Sequence, residues 1–335
     1  MNKPTYFIGV DVSKRTLDLA VSLGHELLFH FKVSNTLSGI EKLMSQLDSK
    51  DIGPELCIFC IEFTGIYSSL VATTLVENQF KVWMESGARI KASKGLERGK
   101  NDKIDAIRIS QYAFRFIDQC SLWEPIDQNI DAIKRLLTNR NRLVKAKNML
   151  KVPLKELEGN ISDKELHILQ KINKNAIETI KKQIKAVEKS ISSLIKSDQK
   201  LAHLYKLVTS VRGIGPIAAW YIISATNSFK KISTAKKFAC YSGVAPFEHE
   251  SGTSIKGRSR VSHLANKNCK KILHLAALSA ISHPCEYRTY FDRKVKEGKH
   301  KLSVLNAIRN KIIQRVFACV RDNREYEDSY QHSFV

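Results

Sequence analysis

No stretch of this 335-residue chain approaches the roughly 18 uninterrupted apolar residues of a membrane-crossing helix, so a spanning segment is not expected. Residues 1–5, MNKPT, run straight into an apolar strand, without the cationic and then long apolar regions of a secretory leader. Cysteine is sparse: seven residues, odd in number and scattered, which argues against a disulfide framework and fits a reducing, cytoplasmic setting. Cys57 and Cys60 in CIFC have the spacing of a metal or redox pair. They sit within an apolar run with no second pair nearby, so strand packing is the expectation. No internal repeat or low-complexity segment is present. Acid is scarce relative to base: 33 Asp and Glu against 55 Lys and Arg give a net charge of +22 and a pI near 9.7. An excess of that size points to a polyanion partner, and nucleic acid is the usual one.

What is present organises into about two or three domains. Three short strand-like runs open the chain, Tyr6–Val10, Thr16–Ser22 and Glu26–Val33, joined by hairpin-length connections. TLSGIEKLMSQL then places Leu37, Ile40, Leu43, Met44 and Leu47 at helical spacing. A dense apolar strand, ELCIFCIEFTG, precedes a helix in IYSSLVATTLVENQF and a strand in KVWMES. The basic segment GARIKASKGLERGK reads as a loop that leads into a helix from about Asp102. Three antiparallel strands followed by alternating helix and strand is the layout of an α/β ribonuclease H-like domain, expected over residues 1–125.

That layout gives its acids a meaning. Phe7, Gly9 and Asp11 share one strand face. Glu62 ends the fourth strand on the face of Cys60 and Ile58, and Asp102 and Asp105 lie three apart on one helical face. A buried, unpaired carboxylate costs several kcal/mol, so an acid inside an apolar strand should bind something, be protonated, or be absent. Taken singly, each has a plain alternative: a solvated strand end, a helix cap or an exposed helix charge. Taken together, four acids on adjoining elements point to hard-oxygen ligands for Mg²⁺ or Mn²⁺ and to chemistry at phosphorus.

Beyond Pro125 the pattern turns helical. Ile133, Leu136, Leu137, Leu143, Val144 and Leu150 form a stripe interleaved with Lys134, Arg135, Arg140, Arg142, Lys145, Lys147 and Lys151, and Pro153 and Gly159 are expected to interrupt it. Ile177, Ile180, Ile184, Val187, Ile191 and Leu194 alternate steps of three and four, a short heptad seam that suggests a central helical coiled-coil linker over 126–204. A mainly α domain is expected over 205–325, followed by a polar tail at 326–335. In it, Gly213, Gly215 and Pro216 stand between two helix-like runs, as in a helix–hairpin–helix turn whose backbone amides approach phosphate. Lys256, Arg258, Arg260, Lys267, Lys270 and Lys271 form one basic run; Arg288, Arg293 and neighbouring lysines form another. Tyr287, Tyr290 and Phe291 among them are placed to stack on bases, with core packing the alternative for Phe291.

GVDVSK, IEFTGIYSSL and KNDKIDA resemble the three signatures of the DEDD transposases of bacterial insertion sequences, the group that includes the Piv-type DNA invertases. RGIGPIAAW followed by FACYSGVAPFEHESG is similar to that family's second conserved domain, and the likeness is co-linear from about Tyr6 to Arg321. The resemblance implies a RuvC-like domain with Asp11, Glu62, Asp102 and Asp105 as metal-binding catalytic acids, a helical linker, and a C-terminal transposase domain whose nucleophile is Ser251 of HESG. It implies recombination of DNA through a phosphoserine, donor and target being read by a structured bridge RNA, in a homodimer or homotetramer. One departure is visible: NKNCKKIL carries Lys270 and Lys271 where the family pattern has a glycine-containing element and arginine. The competing readings are a RuvC-type nuclease cutting branched DNA with water, and a basic packaging protein with no use for matched acids.

Overall fold

The computed structural model describes residues 4–93, 101–125, 127–251, 255–260 and 265–327, with side chains outside 247–264. The chain divides into two compact units, Met1–Pro125 and Ile126–Val335.

The first unit is built on five strands: β1 (Tyr6–Val12), β2 (Thr16–Leu23), β3 (Glu26–Ser34), β4 (Cys57–Glu62) and β5 (Lys81–Glu85). Their spatial order is β3-β2-β1-β4-β5. The β1–β2 and β2–β3 pairs are antiparallel, whereas β1–β4 and β4–β5 are parallel. Among the described residues four α-helices accompany the sheet: α1 (Leu37–Asp48), α2 (Tyr67–Glu77), α3 (Gly87–Ala92) and α4 (Asp102–Arg115). This is the mixed α/β order that the sequence pattern predicts.

Alternation sorts the side chains onto two faces. Ile8, Val10, Val12, Leu17, Leu19, Val21, Phe59 and Ile61 pack with Ile40, Leu43, Leu47, Val71 and Leu75 of α1 and α2. Phe7, Ile58, Cys60 and Trp83 pack on the other face with Ile90 of α3 and Ile109, Tyr112 and Ala113 of α4. Cys57 belongs to the first core and Cys60 to the second, so CIFC is a strand with one thiol on each face. Burial pushes the Cys57 thiol up to about 12 and raises Cys60 as well, leaving both inert.

One segment departs from the sequence expectation. GARIKA is helical rather than loop: the Ser86 hydroxyl accepts the Arg89 amide at 3.3 Å as an N-cap, and Ile90 is buried.

The second unit begins with α5 (Gln128–Glu156) and α6 (Asp163–Ser197). Pro153 does not interrupt α5; it lies in the last turn, where its missing N–H costs a single bond. The two helices run antiparallel, because Asn129 donates to Asp198 at 3.2 Å and Arg140 to Glu188 at 2.7 Å. Val187, Ile191 and Ile195 of α6 share a core with Ile130, Ile133 and Leu137 of α5. There follow α7 (Gln199–Ser210), α8 (Pro216–Thr226), α9 (Ala235–Tyr241), a hairpin of β6 (Phe247–Ser251) and β7 (Ile255–Arg260), α10 (Lys267–Ala280), α11 (Glu286–Lys296) and α12 (Lys301–Arg321). The PIAAWYIISAT segment is apolar all round, which is why α8 becomes the central helix. Ala219, Trp220, Ile222 and Ile223 are all buried there. Among the described residues no helix is long and apolar enough to cross a membrane.

Candidate active site and nucleic-acid interface

The acidic site forms on the α4 face of the first sheet. Asp11 lies near the end of β1, directly opposite Asp18 of β2. Opposed residues of an antiparallel pair share a face, so the two carboxylates are neighbours. Glu62 ends β4, the strand on the other side of β1.

Above this row runs α4. Asn101 caps it, its side-chain oxygen accepting the Lys103 amide at 3.0 Å, and Asp102 and Asp105 occupy the first turn. The helix comes this close because Gly9 has no side chain. A Cβ there would lie 2.2 Å from both the Ala106 carbonyl oxygen and the Ser110 nitrogen. A buried hydrogen bond of 2.9 Å between the Ser22 and Ser110 hydroxyls fixes the same crossing.

The result is electrostatic. The Asp11 carboxyl is pushed up from 3.8 to about 6, first by burial and then by Glu62, Asp105, Asp102 and Asp18 in that order. All four acids singled out in the sequence therefore share one field, and Asp18 joins them as a fifth. Cations temper the rim. Lys32 of β3, opposite Asp18, reaches its Oδ2 at 2.9 Å and Asp102 Oδ2 at 3.4 Å. Its own pKa is raised, chiefly by the Asp18 hydrogen bond. His30 stands 3.4 Å from the other Asp18 oxygen, and Arg108 is 3.3 Å from Asp105.

Sequence reading missed Asp18 and Lys32. Asp18 was accessible in principle: the short β1–β2 turn puts Val12 opposite Leu17 and hence Asp11 opposite Asp18. Among the described residues, no three His, Cys, Asp or Glu side chains stand as a ready-made metal group. The chemistry of these acids nonetheless suits a hard divalent cation: the atoms they offer are all carboxylate oxygens, and burial with mutual repulsion raises the Asp11 carboxyl. Glu85 is different. Its buried carboxylate is already taken by the Ser86 amide at 2.7 Å, Arg89 at 3.1 Å and the Tyr112 hydroxyl at 3.1 Å.

The second unit carries a basic groove of about 520 Å³ between α5, α8 and α10. Arg140, Lys145 and Lys147 line it from α5, Lys271 from α10, and Gly213 and Gly215 from the turn before α8; the lining contains no acid. Gly215 is the N-cap of α8 and supplies no capping side chain, so the first-turn amides have no side-chain acceptor from the cap. Gly213 has φ +89°, and a Cβ there would meet the Ala276 carbonyl at 2.5 Å. At Gly213 the left-handed backbone and the close approach of α10 each call for glycine.

Other predicted contacts lie elsewhere. Lys270 is not part of the groove lining. Arg288 pairs with Asp292 at 2.6 Å within α11, and Arg293 stands 4.0 Å from Glu297, the C-cap of that helix. Tyr287 is a correction: it is 1% exposed, with the Arg315 guanidinium 4.8 Å above its ring, and is unavailable to a base. Tyr290 and Phe291 pack against the same core. Ser251 ends β6 and pairs with Ile255, but its side chain, like those of Lys256, Arg258 and Arg260 on β7, lies outside the described residues.

Comparison with known proteins adds two family matches. Residues 8–157 match a transposase model of the DEDD, IS110 type, and residues 205–292 match the transposase IS116/IS110/IS902 family. The pilin gene-inverting protein of Moraxella bovis is 24% identical over 329 residues, covering 96% of this chain and 97% of that protein. Its counterpart in Moraxella lacunata matches to the same extent. An insertion element IS110 protein of 43.6 kDa from Streptomyces coelicolor is 28% identical over 153 residues, 46% of this chain and 36% of that protein.

Proposed function

We propose that this chain, a DEDD transposase of the IS110 type, cuts and rejoins DNA through Ser251 with the help of the acidic row. The observation that carries the reading is the convergence of Glu62, Asp105 and Asp102 on a half-buried Asp11 whose carboxyl is pushed to about 6. Asp11, Glu62, Asp102 and Asp105 would hold Mg²⁺ or Mn²⁺. When bound, such an ion supplies Lewis-acid polarisation of a phosphoryl oxygen. The protein's own contribution is to gather the acids: Gly9 admits α4, Asn101 starts it at the right residue, and Lys32 joins the Asp102 end of the row to Asp18.

At Ser251 the hydroxyl oxygen forms a bond to phosphorus while the phosphodiester bond to the leaving sugar oxygen breaks, and the serine proton ends on that oxygen as the strand's free hydroxyl. The covalent phosphoserine conserves that bond energy, so attack by another strand's sugar hydroxyl reverses the step and rejoins DNA. The groove lined by Arg140, Lys145, Lys147 and Lys271 suits a nucleic-acid backbone. The basic stripe of α5 suits a structured bridge RNA held through shape and phosphates. Two exchanging duplexes need several active sites, so the working form is a homodimer or homotetramer.

The test is an assay of Ser251→Ala and Ser251→Cys for strand exchange and for protein–DNA adducts that survive denaturation. Full recombination by the alanine variant would rule out the serine route in favour of water. Site-specific inversion is a second reading, supported by the full-length match to pilin gene-inverting proteins. Plasmids carrying inverted sites and plasmids carrying a mobile donor separate inversion from transposition.

A further inference from the structure

We propose that Gly87 is a positioning residue for the acidic site: by lacking a side chain it leaves a shelf on which the Glu62 carboxylate rests, and so sets where that carboxylate meets a divalent cation. The inference depends on Glu62 being a ligand, as read above.

β4 and β5 pair in parallel with Glu62 beside Glu85, and the Phe63 amide donates to the Glu85 carbonyl at 2.8 Å. The strand ends are thus locked together. Directly after Glu85 the chain turns at Ser86, and Gly87 opens α3. A Cβ on Gly87 would lie 2.1 Å from Glu62 Oε1 and 3.0 Å from its Cδ. No carbon fits at that distance, so either the turn or the carboxylate must give way.

The turn is held. Glu85 is buried and grips it through the Ser86 amide at 2.7 Å and Arg89 at 3.1 Å, and Tyr112 of α4 donates to the same carboxylate at 3.1 Å. Arg89 also reaches Gln119 at 3.2 Å, and Ile90 is 1% exposed in the core beneath. Glu62, by contrast, is a half-buried side chain whose far end carries the clash. An added methyl is therefore relieved by moving the carboxylate.

Backbone conformation does not explain the glycine. Gly87 is outside the left-handed region and sits in a helix, where alanine is the better former. Glycine is present for space.

The experiment titrates the full-length chain with Mn²⁺ and follows metal-free thermal unfolding for the parent, Gly87→Ala, Glu62→Ala and the double variant. Gly87→Ala should melt no lower than the parent yet weaken Mn²⁺ binding about 10- to 100-fold, the range for lost support of a ligand. Glu62→Ala should weaken it at least as much, and the double variant should match Glu62→Ala. Parental Mn²⁺ affinity in Gly87→Ala beside a weakened Glu62→Ala would overturn the shelf and leave the ligand reading standing. A lowered melting temperature, or losses that add in the double variant, would also overturn it. An unchanged affinity in Glu62→Ala would remove the ligand reading and the shelf with it.

Discussion

Replacing Asp11 with asparagine should stabilise the metal-free protein while abolishing recombination. In the folded chain the Asp11 carboxyl is pushed from 3.8 to about 6 by burial and by its four acidic neighbours. A raised acid holds its proton more tightly when folded. Stability on this account therefore increases as pH falls through about 6, levels off below the unfolded value of 3.8, and is at its lowest above about 6. A shift of about two units corresponds to about 3 kcal/mol before screening. The group is only half-buried, so about 1–2 kcal/mol remains after solvent screening. Asparagine keeps the shape and discards the charge. It should regain that amount near neutral pH and almost nothing near pH 4. Urea unfolding in EDTA at about pH 7.5 and about pH 4 reads the difference, and the gap between variant and parent should close at the lower value. Added Mn²⁺ should reverse the ranking, because only the parent gains the stabilisation of a ligand that binds the folded state. An asparagine variant less stable than the parent in EDTA near neutral pH would refute the reasoning, since the carboxylate would then be making favourable contacts.

Gly9→Ala should destabilise the first unit by about 1–3 kcal/mol through overpacking, because all three atoms it strikes belong to the α4 backbone. It should also weaken Mn²⁺ binding by lifting Asp102 and Asp105; equilibrium unfolding and titration check the two effects separately. Lys32→Met should lower the melting temperature by leaving buried Asp18 with His30 alone, and Lys32→Arg should recover most of the loss. Replacing Lys145, Lys147 and Lys271 together by alanine should reduce the log–log salt slope of nucleic-acid binding by about two to three, as for lost phosphate contacts. An unchanged slope would mean that the backbone does not enter the groove.

Much of the first unit was legible because a strand states its own faces. Alternation places Phe7, Gly9 and Asp11 together, and Ile58, Cys60 and Glu62 together, wherever the partners come from. Asp102 and Asp105 share a helical face by spacing alone. GARIKA was misjudged because its single cap, Ser86, and its single buried contact, Ile90, are too little pattern in six residues. Tyr287 was misjudged for a related reason: a tyrosine among charges looks exposed until Arg315, distant in sequence, is seen to cover it.

By itself the sequence determined the order of elements, the faces on which acids lie, the basic excess and the all-apolar α8, since each follows from periods of two and 3.6 and from charge that needs no partner to be counted. Only the tertiary structure decided that Asp18 joins Asp11, that Lys32 spans Asp18 and Asp102, and that Gly9 and Gly87 are vacancies with a use. Those features rest on close approach between segments far apart in the chain. A close approach is a property of how strands register and helices cross, and neither is written in any one local stretch of residues.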